Sequence, residues 1–159
     1  MIEGRAESAP DTLTELEEEL EDLEADAPRV GIVMGSKSDM PTMEKAAQEL
    51  EERGIRHEVR VMSAHREPEA VADYARNARM RGLQVIIAGA GLSAALPGVC
   101  AAHTDLPVIG VPLTARDSAA GGLDALLATA QMPPGVPVAC VGLNAARNAA
   151  ILAARILDR

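Results

Sequence analysis

The sequence predicts an α/β protein in which helices cover both faces of a parallel five-stranded sheet, a three-layer doubly wound fold within a single domain. Three observations predict it. From residue 29 onward, short apolar runs typical of strands alternate with segments that have helical spacing of apolar residues. Polar or glycine-rich turns directly follow the first three of these runs. The 159 residues, of which 48% are hydrophobic, fit one domain with a sizeable core.

Each predicted strand is followed by a predicted helix, which implies right-handed crossovers between parallel strands. The strands cover residues 30–34, 57–62, 84–88, 108–111 and 136–141. The helices cover residues 39–53, 67–81, a segment around 99–102, 123–130 and 145–157. Ser38 or Asp39 caps the first of these helices, and Gly54 ends it. Pro68 fits the first turn of the second helix, and Gly82 closes that helix.

Residues 1–28 form an acidic N-terminal extension, separate in composition from a domain over residues 29–159. The extension carries eleven acidic residues and one arginine, a net charge of −10, whereas residues 29–159 carry a net charge of +1. Four leucines at heptad-like spacing predict a short helix there: Leu13, Leu16, Leu20 and Leu23. Thr12 and Glu15 can form its capping box. Residues 2–5 match an engineered protease-cleavage sequence and carry no functional argument.

The composition argues against several classes of protein. The near-neutral residues 29–159 contain no basic stripe of the kind that binds nucleic acid, and no apolar run is long enough to cross a membrane. Cys100 and Cys140 occur without a secretion signal, so we expect two thiols in a cytoplasmic protein. The spacing of cysteines and histidines matches no metal site. Because aromatic residues make up only 1% of the chain, we expect subunit contacts to contribute to its stability.

Chemistry-bearing residues cluster directly after the first three predicted strands. The clusters are Gly35, Ser36, Lys37, Ser38 and Asp39; Ser63, Ala64, His65 and Arg66; and Gly89, Ala90 and Gly91. The carboxyl ends of parallel strands line up along one edge of a sheet, so these turns should converge on one pocket. Taken alone, the sequence of each turn is equally consistent with an ordinary helix cap or a surface segment. Together they favour a site for a small anionic ligand.

The residue types in these turns suggest separate roles. Backbone N–H groups at a helix N-terminus and the guanidinium of Arg66 favour phosphate or carboxylate. Asp39 would repel an anion and better suits the hydroxyl groups of a ribose. His65 can exchange a proton near neutral pH. His57 and His103 lie outside the clusters, and we interpret them as structural or surface residues.

Taken together, these motifs resemble the 5-(carboxyamino)imidazole ribonucleotide mutase family of purine biosynthesis, the purE type. The resemblance covers residues 29–157 and includes four further segments: 96–98, 106–112, 131–135 and 148–150. It implies a flavodoxin-like fold, a homo-octamer, and activity without a metal or an organic cofactor. The implied reaction moves a carboxylate from the exocyclic amine of a ribonucleotide to ring carbon 4, through transient carbon dioxide.

The resemblance also implies roles for individual residues. It assigns proton transfer to His65 and places the nucleotide phosphate and ribose on Ser36, Asp39 and Arg66, with the segment 89–91 near the imidazole. We therefore expect His65 to be catalytic. The expected substrate-binding residues are Gly35, Ser36, Ser38, Asp39, Ser63, Ala64, Arg66, Gly89, Ala90, Gly91 and Leu96.

One departure from the family pattern leaves an alternative reaction open. Ala95 stands where the family commonly has a histidine before Leu-Pro-Gly. A related branch, which carboxylates aminoimidazole ribonucleotide directly with carbon dioxide, also lacks that histidine. That branch typically has lysine after the motif histidine, whereas this chain has Arg66. We favour the mutase and keep the direct carboxylase as the alternative.

Proteins of other classes agree less well with the sequence. A phospho-receiver domain needs an aspartate at the end of the third strand, where this chain has alanines and glycines. An electron-transfer flavodoxin stacks its flavin on aromatic side chains, and Tyr74 is the sole aromatic residue. A non-catalytic scaffold that lost activity through Ala95 is a further alternative, since one fold can host many functions.

Overall fold

Strands and helices alternate along the chain, which a computed structural model describes over residues 12–158. The strands are β1 (Val30–Met34), β2 (His57–Val61), β3 (Val85–Gly91), β4 (Val108–Leu113) and β5 (Ala139–Cys140). The helices are α1 (Leu13–Asp26), α2 (Met40–Glu52), α3 (Pro68–Arg76), α4 (Leu96–Ala102), α5 (Leu123–Ala130) and α6 (Ala146–Leu157). Short 3-10 helices precede α2 at Lys37–Asp39, follow α3 at Arg79–Arg81 and precede α5 at Ala119–Gly122. The cleavage-like segment 2–5 lies outside the described residues.

The five strands form one all-parallel sheet in the order β2-β1-β3-β4-β5. Helices α2 and α6 pack on one face of the sheet, and α3, α4 and α5 pack on the other. The predicted three-layer, doubly wound α/β domain is therefore confirmed. Because β1 lies between β2 and β3, the crossover from β1 to β2 and the crossover from β2 to β3 run in opposite directions along the sheet, and a crevice opens at the carboxyl ends of β1 and β3.

Alternate residues of the central strands enter two separate cores. Ile32 and Met34 of β1 face α2 and α6, whereas Val33 faces α3 and α4, and all three are fully buried. Burial on both faces explains why the strand is a continuous apolar run. Small residues let the helices approach closely: a Cβ on Gly31 would overlap the hydroxyl of Tyr74 on α3.

A buried carboxylate joins the two helices of the first face. Glu49 on α2 is 5% exposed and accepts hydrogen bonds from Nε of Arg147 at 2.6 Å and from Nε of Arg53 at 2.7 Å. These two bonds, that of Arg147 first, hold the pKa of Glu49 below its ordinary value. Because Arg147 lies on α6, the pair fixes α6 against α2.

The main differences from the sequence-based expectation concern the bounds of β3, β5 and α3. Strand β3 continues through Gly91, since Ala90 and Gly91 pair with β4 and do not form the expected turn. Strand β5 has two residues and does not cover 136–141, because Pro137 has no N–H to donate to the ladder. Helix α3 ends at Arg76, where the Asn77 side chain donates to the carbonyl of Asp73 at 2.9 Å, and a 3-10 helix follows.

The predicted N-terminal helix is present as α1, with the predicted capping box between Thr12 and Glu15. Its four leucines do not pack into either core, and their exposed fractions range from 42% to 80%. At its end, Asp26 pairs with Arg56 at 3.0 Å, and both side chains are exposed. None of the helices within residues 12–158 combines the length and the apolarity needed to cross a membrane.

Deleting residues 1–26 should change the free energy of unfolding by less than about 1 kcal/mol. Within the described residues 12–26, no side chain of α1 is buried, and the ion pair of Asp26 with Arg56 is exposed; exposed pairs contribute about 0–1 kcal/mol. Denaturant unfolding at matched protein concentration measures the change. Leu50→Ala, at a fully buried position of α2, is the control and should cost about 2–5 kcal/mol. A loss of about 2 kcal/mol or more on deletion would show that another subunit covers the leucines.

Candidate functional site

Four loops at the carboxyl edge of the sheet enclose a cavity of about 300 Å³. They follow β1, β2, β3 and β4. The lining residues are Gly35, Ser36, Ser38, Asp39, Ser63, Ala64, His65, Arg66, Ala90, Gly91, Leu92, Ser93, Ala94, Ala95, Leu96 and Ala115. The structure thus brings together all of the predicted site residues except Gly89. The volume lies at the lower end of the range for small-molecule pockets.

Larger depressions of about 570–620 Å³ lie elsewhere on the surface, but they lack this convergence of loops. One borders His57 at the opposite end of β2, and another borders His103 at the end of α4. The ring of His57 is bonded to the carbonyl oxygen of Ile55 at 3.1 Å. Both histidines thus lie away from the cavity, as expected for structural or surface residues.

The loop after β1 is held by hydrogen bonds between its own side chains and backbone. The carboxylate of Asp39 accepts from the N–H of Ser36 at 3.1 Å, and the hydroxyl of Ser36 accepts from the N–H of Ser38 at 3.2 Å. The two serine hydroxyls lie 2.9 Å apart. This reciprocal capping turns both serines and Asp39 toward the cavity, directly before the N-terminus of α2.

The loop after β2 is tied to the loop after β1 through Arg66. Its Nη2 donates to the carbonyl oxygen of Gly35 at 3.0 Å, which leaves the other guanidinium N–H groups free to face a ligand. Ser63 shapes the turn, because its carbonyl accepts from the N–H of Glu67 at 2.8 Å. His65 is exposed at the cavity, and its ring makes no hydrogen bond within residues 12–158.

The third wall begins where β3 ends. Leu92 adopts a left-handed backbone with φ of 54°, which turns the chain sharply after Gly91. The wall then continues through Ser93, Ala94 and Ala95 to Leu96, the first residue of α4. Between Leu92 and Leu96, small side chains therefore form this side of the cavity.

Gly89 is the one predicted site residue that does not line the cavity. It lies on the face of β3 toward α2, where a Cβ would overlap the side chain of Met43. Gly89 therefore lies beneath the site and gives Met43 room to pack under it.

The charges of the site are few and opposite in sign. Arg66 brings a permanent positive charge, and Asp39 is the acidic group. Partial burial raises the pKa of Asp39, and the N–H of Ser36 opposes that shift. No cluster of metal-ligating side chains occurs within residues 12–158. The arrangement offers an anion-binding cation, hydroxyl groups, backbone N–H groups and one imidazole that can carry a proton.

Five lining residues were missing from the predicted set. Four of them, Leu92, Ser93, Ala94 and Ala95, extend the predicted third cluster toward α4. The fifth, Ala115, follows β4. Applying the same carboxyl-edge argument to the fourth strand would have found Ala115, although its small apolar side chain gives no chemical signal.

Comparison with known proteins gives one consistent result. A family profile described as AIR carboxylase matches residues 29–159. The N5-carboxyaminoimidazole ribonucleotide mutase of Pyrococcus abyssi is 57% identical over 131 residues, which are 82% of this chain and 74% of that protein. The chloroplastic phosphoribosylaminoimidazole carboxylase of Vigna aconitifolia is 56% identical over 128 residues, which are 80% of this chain and 23% of that longer protein. The crystal structure of PurE from Treponema denticola superposes with a TM-score of 0.71 at 34% identity, covering 82% of this chain and 80% of that one.

Proposed function

The chain belongs to the AIR carboxylase family, and from that premise we propose that it is a 5-(carboxyamino)imidazole ribonucleotide mutase of purine biosynthesis. The observation that carries the proposal is the convergence of Ser36, Asp39, His65 and Arg66 on one cavity. An anion-binding group, a ribose partner and a single proton carrier are what an isomerisation of an anionic ribonucleotide requires.

We propose that the loops after β1 and β2 hold the phosphate and the ribose. The hydroxyl groups of Ser36 and Ser38 and the free N–H groups of Arg66 supply donors to the phosphate. One carboxylate oxygen of Asp39 is used by the N–H of Ser36, which leaves the other for the ribose hydroxyls. Gly35, Ser63 and Ala64 complete this part of the wall.

The imidazole ring would then lie against Ala90, Gly91 and Leu96. In the proposed reaction the bond between the exocyclic nitrogen and the carboxyl carbon breaks, and its electron pair stays on the nitrogen, which takes up a proton. Ring carbon 4 then bonds to the carbon dioxide released, and the proton on that carbon leaves. Atoms balance without a co-reactant. His65 is the group that can supply a proton to the nitrogen and accept the proton that leaves ring carbon 4.

The mutase is favoured over the direct carboxylase because relatives that are 57–58% identical over 82% of this chain carry the mutase name in several organisms. The plant carboxylase, at 56% identity, is a longer protein of which the alignment spans 23%. A spectrophotometric assay separates the two reactions. The mutase should form product from the carboxyamino nucleotide, and it should form none at a comparable rate from the uncarboxylated nucleotide with bicarbonate.

We further propose a cytoplasmic homo-octamer that acts without metal or organic cofactor and does not bind nucleic acid. Both cysteines are thiols, which suits a reducing compartment. Several large apolar side chains of the folded body are exposed and would be covered by subunit contacts: Val59, Val61, Met80, Leu123, Leu127 and Leu143. The extension 1–28 lies outside the catalytic domain in this proposal, since α1 contributes no residue to the cavity.

His65→Asn should lower turnover by about two orders of magnitude or more, because general acid–base catalysis usually contributes that much. Nucleotide binding should stay within about tenfold of wild type, since the ring carries a proton and does not anchor the ligand. Steady-state kinetics and direct titration measure the two effects. His103→Asn, outside the cavity, is the matched control. Turnover within a few-fold of wild type would remove His65 from the mechanism.

Arg66→Lys should raise the KM of the nucleotide by about tenfold or more, because hydrogen bonds to charged groups contribute about 1.5–3 kcal/mol each. An ammonium cannot bond to the Gly35 carbonyl and to a phosphate with the geometry of the guanidinium fork. Initial rates over a range of nucleotide concentration give KM. Arg76→Lys, exposed on α3, is the control. An unchanged KM in Arg66→Lys would show that Arg66 does not bind the phosphate.

A further inference from the structure

The turn between β5 and α6 is bonded to the first residue of the loop that follows β4. Oδ1 of Asn144 accepts from the N–H of Thr114 at 2.9 Å, and its Nδ2 donates to Oγ1 of Thr114 at 2.8 Å. The N–H of Asn144 also donates to the carbonyl of Pro112 at 2.8 Å. Both the oxygen and the nitrogen of the Asn144 side chain therefore hold Thr114 in place.

The backbone conformation at Asn144 limits which residue types can make these bonds. Its φ is 57°, in the left-handed region that glycine, asparagine and aspartate adopt most readily. Glycine has no side chain to bond with, and an ionised aspartate can only accept hydrogen bonds. Asparagine combines the conformation with an acceptor for the N–H and a donor for the hydroxyl.

The loop 114–122 is closed at its base by close packing. A Cβ on Gly122 would lie 2.8 Å from the Thr114 methyl group and 2.9 Å from Leu143, so the two ends of the loop meet beside Asn144. Within the loop, the N–H of Ala115 donates to the Ser118 hydroxyl at 2.7 Å. At its far end the N–H of Ala119 donates to Asp124 at 3.0 Å.

The loop reaches the cavity through Ala115, the residue next to Thr114. Ala115 lines the cavity, and a Cβ on Gly91 would lie 3.7 Å from the Ala115 Cβ and 3.0 Å from the Leu113 carbonyl oxygen. Fixing Thr114 therefore fixes the position of the fourth wall against the third. A shift of the loop would open the cavity on this side.

We propose that Asn144 is a positioning residue that holds the loop 114–122 against the cavity and so maintains its ligand-binding shape. Within residues 12–158, the side-chain hydrogen bonds of Asn144 go to Thr114, which is adjacent to the lining residue Ala115, so Asn144 acts on the site indirectly. The effect of Asn144 on nucleotide binding rests on the proposed function, whereas its effect on the loop does not.

The first test measures amide hydrogen exchange in the variant Asn144→Gly. Glycine retains the left-handed backbone and removes both side-chain bonds, so exchange at Ala115, Ser118 and Ala119 should accelerate by about tenfold, since a hydrogen bond contributes about 1 kcal/mol net. Asn77→Gly is the matched control, because it also removes a hydrogen bond between an asparagine side chain and the backbone, here from Nδ2 of Asn77 to the Asp73 carbonyl, at a place remote from the loop. It should leave exchange in the loop unchanged.

The second test separates KM from kcat with the carboxyamino nucleotide. Asn144→Gly should raise KM by about five- to tenfold, because apparent affinity falls with the fraction of protein whose loop is in place. Its kcat should stay within about twofold, since His65 lies on another loop. Thr114→Val keeps the N–H and loses the hydroxyl, so it should give a smaller rise in KM, and Thr114→Ser should restore the wild-type value.

Two outcomes would overturn the proposal. Faster exchange at Thr114 alone would show that the loop does not depend on Asn144. Faster exchange through the loop with unchanged KM would show that the loop does not shape the site. If Asn144→Gly fails to fold by circular dichroism, Thr114→Val decides the same question. If the wild-type protein does not convert the nucleotide, the proposed function fails, and the exchange comparison still decides whether Asn144 holds the loop.

Discussion

Parallel pairing of β1 with both of its neighbours determines where the polar side chains of the site lie. Met34, the last residue of β1, pairs with Val61 of β2 and with Gly89 of β3. The N–H of Met62 extends this pairing to the Met34 carbonyl at 2.8 Å. Because the strands end at nearly the same level, the loops that follow them open into one crevice. The bond from Arg66 to the Gly35 carbonyl can form only because of this alignment.

Small residues determine how closely the layers of the fold approach. Gly110 faces α5, where a Cβ would overlap the methyl group of Thr129, and Gly31 faces Tyr74 on α3. The same use of small side chains continues into the cavity, whose third and fourth walls include Ala94, Ala95 and Ala115. Walls of this kind suit a flat heterocycle and a small released molecule such as carbon dioxide. In the proposed mechanism they keep that molecule close to ring carbon 4.

Much of this arrangement could be predicted from the sequence, because local signals and the global fold agree. β1 and α5 have the predicted bounds, and the capping box of α1 is present. The length of β3 could not be predicted, since glycine signals a turn as readily as a strand that allows close approach. Gly89 shows the same limit: it lies on the face of β3 that carries Ile87, toward α2 and away from the cavity. The left-handed backbone of Leu92 has no sequence signal either.

In the proposed reaction, one cavity transfers the carboxyl group within a single bound nucleotide. The most direct test gives the wild-type protein an unlabelled carboxyamino nucleotide in buffer that contains 13C-bicarbonate and carbonic anhydrase, and measures the mass of the product. A cavity that recaptures its own carbon dioxide predicts a product whose carboxyl group is largely unlabelled. A product carrying the isotopic enrichment of the buffer would contradict the claim, because the carboxyl group would then come from solution.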